Sequence, residues 1–333
     1  MFAKKKVLIT ATDIFTISSQ KQFEKIALKV FRFQHENNKV YRDFCDFLKV
    51  NPQQVKSLQQ IPFLPIQFFK SHDVVSNSDP AQVTFTSSGT TGMITSRHLV
   101  TDVSLYEESY RKGFSQFYGN IEDYVVLALL PSYLEREGSS LIYMVEDLIK
   151  LSNQPESGFY LHNHDDLIKK LLELEEAGQN VILIGVTYAL LDLIEKHQFK
   201  LQNTIIMETG GMKGKRKEMI REELHEQLCK GFGVSSIHSE YGMTELLAQA
   251  YSLGDGVFEC PSWMNILVRD PEDALTYVKD GKTGGINVID LANINSCSFI
   301  ATQDLGKKYS NNSFEVLGRF DNSDIRGCNL MVL

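Results

Sequence analysis

The chain has 333 residues, a formal net charge of -8 and 43% hydrophobic residues, the composition of an ordinary globular protein. Its acidic balance disfavours general nucleic-acid binding, which usually needs a basic face. No apolar run approaches the roughly 20 residues that a membrane span requires. The five cysteines are scattered without metal-site spacing, so we expect free thiols in a reducing cytoplasm.

The first 60 residues show a helical pattern, with Phe23, Ile26 and Val30 recurring at helical intervals. The next stretch, IPFLPIQFFKSHDVV, contains two prolines. Because proline disrupts a regular helix and restricts the residue before it, we expect an extended, aromatic-rich arm here. Its aromatic side chains would either pack on the core or line an acyl tunnel.

The middle of the chain alternates between apolar runs and helical patterns. The apolar runs are DYVVLALL (123–130), NVILIGVT (180–187) and NTIIMET (203–209). Between the first two lies the amphipathic segment 163–178, where Asn163 is expected to be the N-cap. Unbroken apolar strands that alternate with helices are typical of a parallel sheet, so the predicted fold class is α/β.

A loop rich in hydroxyls and glycines, TSSGTTG (86–92), follows the strand-like VTFT. Gly89 and Gly92 would let the backbone approach a ligand closely, and the hydroxyls would donate to phosphate oxygens. The hydroxyl-bearing residues are Thr86, Ser87, Ser88, Thr90 and Thr91. Alone, this pattern is equally compatible with a surface turn.

Four further motifs follow in order: ETGGMKG (208–214), HSEYGMTEL (238–246), ATQDLG (301–306) and LGRFDNSDIRG (317–327). Together with the loop, they resemble the motifs of the adenylate-forming enzymes, the acyl- and aryl-activating ligases. The resemblance implies that the loop grips the phosphates of ATP. It also places Gly210 and Gly211 beside the nucleotide base.

The later motifs carry the remaining implied roles. Tyr241, with Gly242, would line the adenine, Thr244 would meet the α-phosphate, and Glu245 would help to hold Mg²⁺. Magnesium commonly takes one or two carboxylates together with substrate phosphates. From the last two motifs, Asp304 would bind the ribose hydroxyls and Arg319 would belong to a hinge. Taken alone, EYGMTEL also reads as a glycine-broken helix start.

Two departures from the pattern stand out. The loop lacks the usual lysine, and its nearest cation is Arg97. The printed sequence ends six residues after Gly327, whereas full-length adenylating ligases continue for about another hundred residues, the size of a small domain. That domain carries a catalytic lysine, so we expect a replacement cation. The candidates are Arg97, Lys213, Arg319, Arg326 or a partner protein.

A truncated branch with this pattern is the acyl-protein synthetase (LuxE-type) family, which the chain resembles over nearly its whole length. The resemblance implies ATP-dependent adenylation of a fatty acid, transfer to a cysteine thioester and delivery to a partner protein such as a reductase. Cys328, the only cysteine of the C-terminal tail, matches that carrier. Arg326 beside it would favour the thiolate. Alternatively, Cys328 is a small apolar residue in a closing strand.

The implied fold is the N-terminal domain of an adenylate-forming enzyme, with parallel sheets flanked by helices, a smaller β-rich subdomain and no C-terminal lysine-bearing domain. We predict one compact adenylation domain in four parts. These are a helical and extended segment (1–80), a nucleotide-binding α/β region (81–253), a β-rich subdomain (254–316) and a hinge-like tail (317–333).

Two other functions stay open on the sequence. In the first, the chain is an acyl-adenylating ligase that passes the acyl group to coenzyme A or a carrier protein. In the second, it is a non-catalytic nucleotide- or acyl-binding subunit. The retention of Thr244, Glu245 and Asp304 disfavours the second of these, because an idle site has no need of a metal carboxylate.

Overall fold

The computed structural model describes residues 9–87, 94–130, 138–160, 163–210 and 219–320. The chain divides into two compact units. Unit 1 comprises Met1–Ser109, Thr244–Ala248 and Cys260–Leu333, and unit 2 comprises Tyr110–Met243 and Gln249–Glu259. Each unit is therefore built from segments that are distant in sequence.

The described helices and strands are as follows, in chain order. The helices are α1 (Ala11–Phe15), α2 (Gln20–Asn37), α3 (Lys39–Phe47), α4 (Phe68–Ser71), α5 (Val103–Tyr118), α6 (Ser140–Ser152), α7 (His164–Glu176), α8 (Thr187–Lys196) and α9 (Arg221–Phe232). The strands are β1 (Leu64–Pro65), β2 (Val83–Thr86), β3 (Arg97–Val100), β4 (Val125–Leu129), β5 (Gly158–Phe159), β6 (Val181–Val186), β7 (Thr204–Thr209), β8 (His238–Tyr241), β9 (Ala250–Ser252), β10 (Val257–Phe258), β11 (Met264–Arg269), β12 (Thr283–Asp290), β13 (Phe299–Lys308) and β14 (Phe314–Arg319).

Unit 2 contains the predicted parallel sheet, in the strand order β5-β4-β6-β7-β8-β9. All neighbouring pairs are parallel except β8 and β9, which are antiparallel. Every residue of β4 and β6 is buried, which confirms the expectation drawn from their unbroken apolar runs. Because β7 and β8 are parallel neighbours, their carboxyl ends lie at the same edge of the sheet.

Unit 1 contains the β2–β3 hairpin and the antiparallel strands β11, β12, β13 and β14, which pair in that order. The strands β11 to β14 come from the last third of the sequence. The proline-rich arm supplies β1, which pairs in parallel with β13, and then the short helix α4. The arm is thus interrupted by a helical turn at Phe68–Ser71 and is not extended throughout.

An aromatic cluster attaches the N-terminal helices of unit 1 to β13. Tyr41 stacks on Phe299 with ring centroids 6.0 Å apart, and Phe31 and Phe63 meet Phe299 edge-on. All four side chains are buried. Burying one large apolar side chain contributes about 1.5–3 kcal/mol, so this cluster is a major part of the core of unit 1.

The start of α7 differs in one detail from the sequence prediction. Asn163 occupies the N-cap position, but its side chain makes no capping hydrogen bond to the backbone. Instead, its amide donates to the carboxylate of Asp166. Asp165 and Asp166 lie in the first turn, where negative charge interacts favourably with the helix dipole. No helix in the described part of the chain is long and apolar enough to cross a membrane.

Candidate active site

The two ends of the hydroxyl-rich loop join the β2–β3 hairpin of unit 1. Thr86 in β2 pairs with Arg97 in β3, and the pairing continues one step further towards the loop. Ser87 N donates to Ser96 O at 3.1 Å, and Ser96 N donates to Ser87 Oγ at 2.9 Å. Ser87 therefore helps to close the base of the loop.

Five of the predicted loop residues lie outside the described part of the chain: Ser88, Gly89, Thr90, Thr91 and Gly92. Gly211 and the candidate acyl carrier Cys328 also lie outside it, as do the candidate cations Lys213 and Arg326. The roles of all these residues stay predictions.

Arg97 lies at the base of the loop and is engaged in an ion pair. Its Nη2 is 2.5 Å from Oδ1 of Asp73, and both side chains are about half exposed (56% and 55%). Exposed ion pairs of this kind contribute about 0–1 kcal/mol. Asp73 therefore holds Arg97 beside the loop without preventing it from binding a phosphate instead.

Thr244 and Glu245 follow β8 in a turn and not at the start of a helix, which excludes the helix interpretation of this motif. The side chain of Glu245 is buried, at 5% exposure. Burial raises the pKa of Glu245, whereas a hydrogen bond from the Ser96 side chain and the charges of Arg319 and Lys70 oppose that rise. The candidate metal carboxylate thus lies beside the base of the loop, within unit 1.

Asp304 and Arg319 are directly opposite each other on the neighbouring strands β13 and β14. Arg319 Nε lies 3.3 Å from Asp304 Oδ1, with the arginine side chain 81% exposed and the aspartate side chain 10% exposed. Since Arg319 also lowers the pKa of Glu245, the hinge motif reaches the same region of unit 1 as the loop base.

Unit 2 carries the candidate residues for the nucleotide base. Gly210 follows β7 with φ of 78°, a conformation that glycine adopts readily and other residues rarely do. Tyr241 ends the neighbouring strand β8 and is buried against Phe258. A Cβ on the next residue, Gly242, would lie 2.5 Å from Oε1 of Glu240. These residues share the carboxyl edge of a parallel sheet, where α/β proteins commonly bind ligands.

Two glutamates at this edge were not identified from the sequence. Glu208 binds Nη1 of Arg221 at 2.5 Å. Burial alone would raise its pKa, but the neighbouring His225 imidazole, whose Nε2 lies 3.7 Å from Glu208 Oε1, and the charge of Arg221 lower it to about 2. Burial and the charge of Glu208 raise the pKa of Glu240 to about 7, against the opposing hydrogen bond from Thr209. The available signal in the sequence was a glutamate just before each glycine turn, in ETGG (208–211) and EYG (240–242).

The cysteines of the described residues are divided by burial. Cys45 and Cys297 are fully buried, and burial raises the pKa of both thiols, that of Cys45 to about 12. Cys229 and Cys260 are partly exposed. Cys45 and Cys297 are therefore unsuited to act as a thiolate at neutral pH.

The described residues contain no group of three or more His, Cys, Asp or Glu side chains that could hold a metal ion by themselves. A buried carboxylate such as Glu245 still fits Mg²⁺, because magnesium usually completes its coordination with water and substrate phosphates. This carboxylate therefore fits a metal that arrives with a nucleotide.

The chain is similar to known proteins both in sequence family and in fold. The family described as "Acyl-protein synthetase, LuxE" matches residues 3–333. A long-chain-fatty-acid–luciferin-component ligase of Vibrio harveyi is 23% identical over 341 residues, covering 95% of this chain and 89% of that protein.

Among solved structures, 2-hydroxyisobutyryl-CoA ligase in the postadenylation state with 2-HIB-AMP superposes with a TM-score of 0.67. It is 12% identical, with coverage of 96% of this chain and 74% of that one. ATP-bound MatB from Rhodopseudomonas palustris superposes with a TM-score of 0.53 and is 18% identical, with coverage of 74% of this chain and 49% of that one. At these identities the likeness establishes the fold, which is that of the adenylate-forming enzymes. The chain belongs to the acyl-protein synthetase (LuxE) family, and it is a ligase of the acyl-activating kind.

Proposed function

We propose that this protein activates a fatty acid with ATP as an acyl-adenylate, transfers the acyl group to Cys328 as a thioester and passes it to a partner protein. The observation that carries the proposal is the grouping within unit 1 of the loop base (Ser87 and Ser96), the buried Glu245 and the Asp304–Arg319 pair. The whole-chain family match supports the same chemistry.

In the first step, a carboxylate oxygen of the fatty acid attacks the α-phosphorus of ATP. A new P–O bond forms, the bond to the β-phosphate bridge breaks, and pyrophosphate leaves. Such a step depends mainly on positioning and charge neutralisation. The loop hydroxyls would hold the phosphates, and Arg97 and Arg319 would supply positive charge in place of a lysine.

Mg²⁺, held by Glu245 and the phosphates, would neutralise charge on the nucleotide. The raised pKa of Glu245 in the ligand-free protein indicates that burial of this carboxylate is costly, and a bound cation would offset that cost. Asp304 would accept hydrogen bonds from the ribose hydroxyls, with Arg319 holding the aspartate in place. Gly210, Tyr241 and Gly242 keep the roles at the nucleotide base that the resemblance gives them.

In the second step, the thiolate of Cys328 attacks the acyl carbonyl, the C–O bond to the phosphate breaks, and AMP leaves. Thiolate attack by an acceptor group on the partner would then displace Cys328. Among the described cysteines, burial makes Cys45 and Cys297 poor substitutes for this role.

The test is the intact mass of the protein after incubation with ATP, Mg²⁺ and a panel of carboxylic acids of different chain lengths. A hydroxylamine-labile acyl adduct on wild type that disappears in Cys328→Ser is expected. Cys260→Ser, which removes a partly exposed thiol, is the matched control and should keep the adduct. An adduct that persists in Cys328→Ser would assign the thioester elsewhere. In a parallel incubation that also contains coenzyme A, formation of acyl-coenzyme A without any protein adduct in either incubation would contradict the acyl-cysteine step.

A further inference from the structure

The segment that carries Thr244 and Glu245 lacks regular secondary structure between residues 242 and 249, although most of it is buried. Buried backbone groups outside helices and sheets need other hydrogen-bond partners. In unit 1, three side chains provide them, and we call His98, Asn293 and Asp290 the motif clamp.

The motif clamp binds the backbone on both sides of Glu245. His98 Nδ1 donates to Thr244 O at 2.8 Å, and Asn293 Nδ2 donates to Glu245 O at 2.8 Å. Asp290 Oδ2 accepts from Leu247 N at 2.7 Å and from Ala248 N at 3.0 Å. Four backbone groups within five residues are therefore held by side chains from elsewhere in the unit.

The three clamp side chains are themselves fixed. Each belongs to a residue with 0% exposure. The Nε2 atom of His98 lies 3.0 Å from Oδ1 of Asn293, and Phe69 packs edge-on to the imidazole ring. Asp290 Oδ1 accepts from Ala292 N, while the carbonyl of Asn293 accepts from Gln34. A connected buried network of this kind is rigid, and breaking one member leaves unpaired polar groups.

The position of His98 links this network to the loop. It is the residue after Arg97 in β3, opposite Phe85 of β2, so the strand that leaves the phosphate loop also holds Thr244. We propose that His98 is a positioning residue that sets the location of Thr244 and Glu245 relative to the base of the loop. This inference rests on the proposed function, in which those two residues bind the nucleotide phosphates and Mg²⁺.

The inference predicts a selective defect. If His98 positions Glu245, its loss should weaken the binding of ATP with Mg²⁺ and leave the KM for the acid unchanged. The side-chain amide of asparagine can occupy the place of Nδ1 and donate to Thr244 O, whereas the amide of glutamine lies nearer to the place of Nε2. His98→Asn should therefore retain function better than His98→Gln, and His98→Leu should fill the space without donating.

The experiment compares these variants with Tyr41→Phe, which removes another buried hydrogen bond of unit 1, from Tyr41 Oη to Pro62 O, far from the motif in sequence. Calorimetry measures ATP binding with and without Mg²⁺, acid-dependent pyrophosphate exchange gives both KM values, and thermal unfolding reports stability. We expect His98→Leu and His98→Gln to raise the Kd for ATP with Mg²⁺ about tenfold, the effect of one lost buried hydrogen bond. The Kd of His98→Asn for ATP with Mg²⁺ should stay within about threefold of the wild-type value, because the asparagine amide keeps the hydrogen bond to Thr244 O.

Equal losses of stability in His98→Leu and Tyr41→Phe, with unchanged nucleotide binding in both, would overturn the inference by showing a purely structural role. If His98→Leu does not fold, the comparison between the Asn and Gln variants decides, and equal Kd values for the two would overturn it. If wild type neither binds ATP with Mg²⁺ nor exchanges pyrophosphate, the proposed function is contradicted, and so is the inference that rests on it.

Discussion

The guanidinium of Arg319 lies 3.3 Å from the carboxylate of Asp304, because the two residues are directly opposite on β14 and β13. The aspartate is nearly buried while the arginine is mostly exposed. The Asp304 carboxylate is consequently held by a neighbour that is exposed enough for a nucleotide to contact as well.

Replacing Asp304 with asparagine should raise the KM for ATP about tenfold, because a hydrogen bond from the ribose to a charged acceptor becomes one to a neutral acceptor. The KM for the acid should not change. Pyrophosphate exchange at varied ATP and acid concentrations measures both. Glu315→Gln on β14, where the carboxylate accepts from Tyr309 Oη instead, is the control. An unchanged KM for ATP in Asp304→Asn would remove the ribose role.

Freeing Arg97 from Asp73 should strengthen nucleotide binding. In Asp73→Asn the guanidinium loses its exposed partner and is available to a phosphate, so the KM for ATP should fall by up to about fivefold, the range of a surface ion pair. Arg97→Gln should raise the KM. Asp43→Asn, which breaks the exposed pair with Lys39, should have no effect. A rise in KM on Asp73→Asn would show that the ion pair itself supports the active arrangement.

The stability of the protein should depend on the ionisation of Glu240. Burial raises its folded pKa to about 7, whereas a glutamate in an unfolded chain has a pKa of about 4.3. The stabilisation associated with the neutral carboxyl is therefore fully present below about pH 4 and is lost progressively as the pH rises to about 7. The stability of Glu240→Gln should not fall in this way, because the glutamine side chain does not ionise.

The check is urea unfolding of wild type and Glu240→Gln at several pH values between 5 and 8. The stability of the variant relative to wild type should increase with pH and then level off. Asp290, whose pKa burial raises to about 6, is present in both proteins and cancels in the difference. The control Glu176→Gln, at an exposed position, should show the same dependence of stability on pH as wild type. Parallel curves for Glu240→Gln and wild type would show that Glu240 is ionised in the folded state.

Alkylation of the native protein should follow the burial of its cysteines. Cys229 and Cys260, which are partly exposed, should react with iodoacetamide before Cys45 and Cys297, which have 0% exposure and raised thiol pKa values. Peptide mass spectrometry of samples quenched over time gives the order, and samples in urea should show similar rates at all sites. Early labelling of Cys45 or Cys297 in the native protein would contradict the buried assignment.

Local patterns were sufficient to predict much of the fold. The apolar runs that became β4, β6 and β7 were recognisable because a strand covered on both faces needs apolar residues at every position. The spacing of Phe23, Ile26 and Val30 predicted α2 because a helix returns to the same face every three or four residues. The candidate site residues came from motifs, in which neighbouring residues share one local backbone.

Tertiary structure decided the groupings that the motifs do not contain. His98 and Thr244 are 146 positions apart, and Arg97 meets an aspartate from the proline-rich arm. Glu208 in β7 and Glu240 in β8 acquire opposite pKa shifts although they lie on neighbouring strands of one sheet, because Arg221 and His225 lie beside Glu208. Helices, strands and the order of the motifs can be predicted from the sequence alone, because periodicity and turn chemistry are local. Which side chains share a buried environment depends on which strands and turns pack together, and the charge and position of Glu245, Glu208 and Glu240 follow from that packing.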